Sequence, residues 1–148
     1  MTTWATAGDI DVLVWNVQRG ANHFDQGPEK ALEVIRGSGA DLVLMQESYD
    51  IEDDRPQLGL WLAGELGWNA HQGDSPHLCI LTRYEILETF NHQPWHGVGA
   101  RLRTPDTELL AWTCWIDYRS FLPAHLADNP DCTVQDLLAC ETEHSGRA

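Results

Sequence analysis

Apolar positions along this chain fall into short runs that stop abruptly at polar residues. Val12–Leu13–Val14–Trp15 ends at Asn16, and Leu42–Val43–Leu44–Met45 ends at Gln46 and Glu47. Both runs have the length of a strand. The first strand spans Asp9–Asn16, bounded by Gly8 and by the loop Gln18–Gly27. The second, Ala40–Gln46, is nearly continuous in apolar residues, as expected of a strand covered on both faces. Between them Pro28 suits a first helical position. Ala31, Leu32, Ile35 and more loosely Val34 then recur at helical spacing, and Gly37 and Gly39 close the helix. The pattern predicts a strand–helix–strand unit with a right-handed crossover.

An acidic loop follows at Asp50–Asp54. Leu58, Leu60, Trp61, Leu62 and Leu66 predict a second helix ending at Gly67. Five short strands are then expected at Trp68–His71, Leu78–Thr82, Ile86–Phe90, Val98–Arg103 and Leu109–Ile116, as antiparallel additions to the same sheet. The turns between them include Gly73–Pro76, Asn91–Pro94 and Thr104–Thr107. Tyr118–Asp131, with Pro123 and Pro130, is expected to be loop. Thr133–His144 is expected to be helix, with Asp131 or Thr133 as N-cap and Val134, Leu137 and Leu138 turned inward. There are no repeats, linkers or low-complexity tracts, so the expectation is one domain over residues 1–148, truncated at its C-terminus.

The chemistry follows from where the strands stop. Asn16 and Glu47 fall at matching ends of two neighbouring strands, and ligands gather at the carboxyl ends of strands in α/β sheets. A carboxylate buried there needs a compensating partner such as Mg²⁺. With Cys79–Ile80–Leu81–Thr82–Arg83–Tyr84–Glu85–Ile86 as a third matching strand, the W-N and D-L-V-L-M-Q-E segments resemble the endonuclease/exonuclease/phosphatase superfamily, the DNase I-like metal-dependent phosphodiesterases. The resemblance covers the N-terminal half of such a domain. The fold it implies is α/β, a partial four-layer α/β/β/α sandwich with a mixed sheet and flanking helices.

The same resemblance implies a phosphoester hydrolase using Mg²⁺ or Mn²⁺. Glu47 would be a direct metal ligand, and Asn16 would orient a phosphate oxygen or help to hold a metal-bound water, so both are candidate catalytic and metal-site residues. Without the metal, Glu47 reads as a solvated strand-end carboxylate and Asn16 as a turn cap. Trp115 stands where the family strand carries a phosphate-contacting His, and indole can only donate a hydrogen bond. Asp117 and Arg119 lie where substrate contacts could form, or make an exposed ion pair. The family's later G-D-x-N and S-D-H motifs do not occur. One reading is therefore the N-terminal portion of a phosphodiesterase, whose uncovered sheet face calls for a partner chain or a missing C-terminal half. The alternative is an inactive truncated homologue serving as a binding or interaction module; an unrelated α/β domain matching by chance is the third.

Composition narrows the substrate. Nine basic residues against 23 acidic ones give a formal charge of −14 and no basic cluster. Non-specific nucleic-acid binding rests on Lys and Arg neutralising phosphates. A small phosphodiester or a lipid head group is thus favoured over duplex DNA. No apolar run approaches the roughly 20 residues of a membrane span, and Met1–Trp4 shows no signal-peptide pattern. The expected location is cytoplasmic, or secreted if the N-terminus is trimmed. Cys79, Cys114, Cys132 and Cys140 follow no C-x-x-C spacing. Cys79 and Cys114 are expected to be buried thiols, and Cys132 and Cys140, flanking a helical segment, could each find a disulfide partner in an oxidising compartment. Of the seven His, none pairs at a metal-ligand spacing. His71, His77, His92 and His96 are scattered among strands and turns; His92 and His96, near Trp95, could line a pocket mouth, where the ordinary reading of a turn histidine is mere exposure.

Overall fold

The elements in chain order are β1 (Val12–Asn16), α1 (Gly27–Ser38), β2 (Leu42–Gln46), α2 (Leu58–Leu66), β3 (Asn69–Gln72), β4 (Leu78–Thr82), β5 (Glu85–His92), β6 (Gly97–Arg103), β7 (Glu108–Cys114), α3 (Leu122–Asp128) and α4 (Val134–Ser145). The computed structural model describes residues 8–49, 57–92, 96–115 and 122–145. Asp50–Asp54, Pro94, Trp95, Asp117 and Arg119 lie outside the described residues. The chain divides into two compact units, Met1–Trp115 and Ile116–Ala148.

In the first unit, β1 and β2 run parallel and are joined through α1, while β4 joins β2 antiparallel and β3 closes the order β1-β2-β4-β3. α1 stops where Gly39 takes φ 75°, a conformation glycine adopts without a Cβ penalty. Alternation along β2 and β4 sorts side chains between two faces. Val43, Met45, Cys79 and Leu81 meet Ala31, Leu32 and Ile35 of α1 and Leu58 and Leu62 of α2. The close approach of α2 requires Gly59, because a Cβ there would lie 2.5 Å from Cys79 Sγ.

The opposite face of this sheet corrects a sequence expectation. β5, β6 and β7 do not extend the first sheet; they form a second, antiparallel one in the order β5-β6-β7. Its inward residues Val98, Ala100, Leu102 and Ala111 pack on Leu42, Leu78 and Ile80. Strand periodicity shows that β5–β7 pair with one another but not whether they continue a sheet or stack on it. Most of the inner face expected to be uncovered is therefore covered. β7 packs over β2 and β4, and β6 over β4, so the three-stranded sheet falls one strand short and β1 overhangs. Val12 and Val14 remain 48% and 65% exposed there.

Three further expectations are corrected. Cys114 is exposed, because it lies on the outer face of the second sheet. Part of the expected loop Tyr118–Asp131 is helix α3, whose second residue is Pro123, a tolerated place in a first turn. In α4, Val134 and Leu138 are exposed and not inward. Its N-terminus is built as expected at Thr133, whose Oγ1 accepts from the Asp136 N–H at 3.3 Å while Asp136 Oδ2 accepts from the Thr133 N–H at 2.7 Å. The Thr133 N–H and the Thr133 hydroxyl, which also donates to Asp136 Oδ2 at 2.7 Å, hold the Asp136 carboxyl below its usual range. Among the described residues, no helix is long and apolar enough to cross a membrane.

Candidate functional site

Asn16 lies opposite Gln46 in the parallel ladder, so the next residue on β2, Glu47, leaves the sheet where β1 ends. Glu47 takes φ 54°, a left-handed conformation rare for a side chain of this size. The two candidate residues meet directly, with Asn16 Nδ2 donating to Glu47 Oε1 at 3.0 Å. The Arg19 N–H donates to Glu47 Oε2 at 3.0 Å, and the Gly20 N–H to the Glu47 carbonyl at 2.8 Å. Asn16 Oδ1 accepts the Gln18 N–H at 2.9 Å, which fixes the amide so that its donor faces Glu47.

Aiming these N–H groups inward takes an unusual turn. Gln18, Arg19, Gly20 and Ala21 all have positive φ, at 47°, 51°, 67° and 65°. Left-handed backbone costs roughly 1–2 kcal/mol per non-glycine residue, and such strain clusters at functional sites. The sequence marks this stretch only as loop, since nothing in Gln18-Arg19-Gly20-Ala21 except Gly20 favours positive φ.

Behind Glu47, Ser48 is buried; its N–H donates to the His77 carbonyl at 3.0 Å and its Oγ to the Pro76 carbonyl at 2.7 Å. His77, which the sequence places only among strands and turns, is 1% exposed. Its ring lies 4.1 Å from that of Trp115 in an edge-on arrangement and 5.8 Å from that of Tyr49. Burial lowers the His77 pKa below its ordinary value, and the negative charge of Glu47 opposes that shift. His77 thus lies behind the candidate site, and His-x-Cys ahead of a strand carries no recognisable signal for that place. Thr113 of β7 ties the second sheet to the same strand end. Its Oγ1 accepts from Gln46 Nε2 at 2.8 Å and donates to the Met45 carbonyl at 3.4 Å.

The remaining candidates scatter. His71 is half-buried with Nε2 3.1 Å from Asn91 Oδ1. His92 is exposed, and the half-buried His96 accepts the Trp115 N–H through its carbonyl at 3.2 Å. Cys132 and Cys140 are unpaired thiols. On the α1 side of Asn16 a groove of about 220 Å³ opens between Trp15, Phe24, Lys30 and Val34.

Among the described residues, no group of three or more His, Cys, Asp or Glu is placed to hold a metal ion. The donor set at the strand ends is nevertheless of the right kind for a hard cation. It presents the Glu47 carboxylate, and Mg²⁺ is commonly held through one or two carboxylates with the rest of its shell water and substrate oxygens.

No protein-family model and no curated protein matches the chain. Solved structures do. A β-hairpin deletion mutant of beta toxin from Staphylococcus aureus aligns over 84% of this chain and 63% of its own length, at TM-score 0.52 and 11% identity. The structure of beta toxin 275-280 from the same organism aligns over 92% of this chain and 57% of its own, at TM-score 0.54 and 11% identity. The endonuclease domain of TRAS1, a telomere-specific non-LTR retrotransposon, aligns over 90% of this chain and 52% of its own at 17% identity, with a TM-score of 0.44. This chain therefore spans less than two thirds of the length of the structures it resembles, and what it shares with them is a mixed α/β architecture of DNase I-like fold.

Proposed function

We propose that this chain carries the Glu–Asn part of a phosphoester-hydrolase site supported by Mg²⁺ or Mn²⁺. The observation behind the reading is the Asn16 Nδ2–Glu47 Oε1 contact of 3.0 Å at adjacent parallel strand ends, held by a strained turn. Glu47 is the residue that would hold the cation, with Asn16 as a further oxygen donor if its amide turns from Gln18. When bound, the cation supplies Lewis-acid polarisation of a phosphoryl oxygen.

The chain's own residues do the rest of what the site can do. Asn16 keeps the Glu47 carboxylate aimed outward and presents an amide donor to an incoming phosphate oxygen. His77 and Trp115 wall the site with aromatic surface, and Gln46–Thr113 fixes its floor. With a formal charge of −14, the substrate favoured is a small phosphodiester or a lipid head group, not duplex DNA.

A second reading, a binding module with little turnover, is favoured by Trp115, which cannot exchange a proton where a family histidine would stand. General-base help is worth about 10²–10⁴-fold in rate, so turnover by this chain alone should be slow.

The test is hydrolysis of bis(p-nitrophenyl) phosphate with Mg²⁺, Mn²⁺ or EDTA, together with melting curves under the same conditions. A cation at 100 times its Kd should stabilise the fold by about 2.7 kcal/mol. Metal stabilisation with Glu47-dependent hydrolysis supports the enzyme reading, and stabilisation without turnover supports the binding module. Absence of any metal effect, with Glu47→Gln behaving as wild type, overturns both.

A further inference from the structure

Among the described residues, the Lys and Arg side chains are Arg19, Lys30, Arg36, Arg83, Arg101 and Arg103. All but Arg19 are engaged within the fold. Lys30 Nζ donates to the Asp25 carbonyl at 2.6 Å, and Arg36 Nη2 to the Glu65 carbonyl at 3.1 Å. Arg83 lies over the Trp68 ring and 3.7 Å from Asp41 Oδ1. Arg101 pairs with Glu88 and Glu108, and Arg103 with Glu85. The exposed Arg19 guanidinium makes no hydrogen bond, ion pair or ring contact with the described residues. In a chain of nine basic and 23 acidic residues, an uncommitted cation is the exception.

Its place in the fold is equally unusual. The Arg19 N–H donates to Glu47 Oε2 at 3.0 Å, so the side chain begins beside that carboxylate. Both Glu47 oxygens are nevertheless taken by neutral donors, Asn16 Nδ2 and the Arg19 N–H, and the guanidinium is left over. Arg19 also holds φ 51°, a conformation that glycine adopts without a Cβ penalty. A glycine would give Glu47 the same N–H with less strain. What arginine adds at this position is a charged side chain with nothing in the described fold to bind. The surroundings on one side suit an anion as well. None of the residues lining the groove on the α1 side of Asn16 is acidic, and Lys30 is among them.

Resting on the phosphoester-hydrolase reading, we propose that Arg19 is the phosphate-binding residue of this site, its guanidinium taking the anionic oxygens of a phosphodiester. Neither neighbour can make that contact. Glu47 is itself anionic, and Asn16 offers a neutral amide already bonded to Glu47. A phosphodiester carries one negative charge shared between two non-bridging oxygens. Guanidinium presents a planar fork of N–H donors that matches such a pair, whereas an ammonium supplies the charge without the fork. The ligand class is therefore a phosphoester with a free anionic edge, and a fully esterified, neutral phosphate gains nothing from Arg19.

The probe is dimethyl phosphate, its affinity measured by phosphorus NMR relaxation in Mg²⁺, with Mg²⁺-dependent melting of the same proteins alongside. Arg19→Gln is expected to weaken dimethyl phosphate about tenfold, the low end for a hydrogen bond to a charged group, with Arg19→Lys in between. Neutral trimethyl phosphate should not distinguish the variants. Arg103→Gln removes the same unit of charge from the pair with Glu85 and should leave the affinity unchanged. Every one of these variants should keep the Mg²⁺-dependent rise in melting temperature, which reports Glu47. Arg19→Gln binding as well as wild type overturns the proposal. So does an equal loss in Arg103→Gln, which would make the effect one of net charge. Loss of the Mg²⁺ shift in Arg19→Gln overturns it too, because Arg19 would then act only through the turn that holds Glu47. Wild type that keeps the Mg²⁺ shift but binds no dimethyl phosphate overturns the Arg19 proposal alone. Wild type with neither response overturns the phosphoester reading and the Arg19 proposal with it.

Discussion

Replacing Glu47 with Gln should cost stability even when no metal is present, and by an amount the geometry sets. The carboxylate accepts two hydrogen bonds, from Asn16 Nδ2 and from the Arg19 N–H, each 3.0 Å long. A Gln amide has one oxygen, so it keeps one of these bonds and turns an NH₂ group against the other donor. Asn16 cannot rotate to compensate without releasing the Gln18 N–H. Hydrogen bonds to charged groups are worth about 1.5–3 kcal/mol, but Asn16 and Arg19 are exposed and water can substitute. The net loss expected is about 1–2 kcal/mol, or about 3–6 °C in Tm for a chain of this size. Glu47→Gly is the informative companion. It loses both bonds yet relieves a φ of 54°, recovering about 1 kcal/mol, so it should fall within about 1 kcal/mol of Glu47→Gln despite losing the whole carboxylate. The assay is urea denaturation in EDTA followed by fluorescence of the seven Trp. A Glu47→Gln protein as stable as wild type would refute the reasoning, because the carboxylate would then be poised for something the apo fold does not satisfy.

Other outcomes follow from the same structure. His77 has a pKa lowered by burial, so between that value and its ordinary 6.5 the unfolded chain binds the extra proton. Stability should therefore fall as pH drops through about 6.5, and melting of His77→Gln should show a flatter acid limb. Removing the opposing charge with Glu47→Gln lowers the folded pKa further and extends that limb downward. Burial pushes the Cys79 thiol up to about 12; Ellman's reagent at pH 8 should label the other three cysteines of the folded protein and reach Cys79 only on unfolding. Gly59→Ala would place a Cβ 2.5 Å from Cys79 Sγ in a fully buried contact. It should destabilise by about 1–3 kcal/mol in chemical denaturation, whereas Gly64→Ala on the same helix, with open space around it, should not.

How far the sequence carries is clearest by comparing residues. Val12–Asn16 and Leu42–Gln46 are legible because two apolar runs of strand length, each ending in a polar residue and separated by a helix-spaced stretch, make a parallel pair joined through that helix. Hence Asn16 and Glu47 are found and do meet. Leu78–Thr82 is also read to the residue, since all five of its side chains are buried. The stacking of β5–β7 on the first sheet was not legible, because it depends on which face of β4 is left open, a property of the assembled fold. His77 was missed for the same reason: its burial comes from Trp115 and Tyr49, distant in sequence. α3 was missed because Pro123 reads as a breaker until its place in a first turn is known.

The left-handed turn at Gln18–Ala21 is the part no local rule anticipates, and its energetics say why. Gln18, Arg19, Ala21 and Glu47 are four non-glycine residues at positive φ. At roughly 1–2 kcal/mol each, their strain totals about 4–8 kcal/mol, a large share of the 5–15 kcal/mol that typically holds a domain together. The four hydrogen bonds gathered there, from Asn16 Nδ2 and the N–H groups of Gln18, Arg19 and Gly20, offset about 1 kcal/mol apiece. They balance the strain at best. A relaxed turn, with glycine at two of these positions, would hold β1 and α1 together at lower cost, but nothing would then fix the Glu47 carboxylate against Asn16. Stability alone gives this sequence no reason for the arrangement; holding one carboxylate in one place at the end of two parallel strands does.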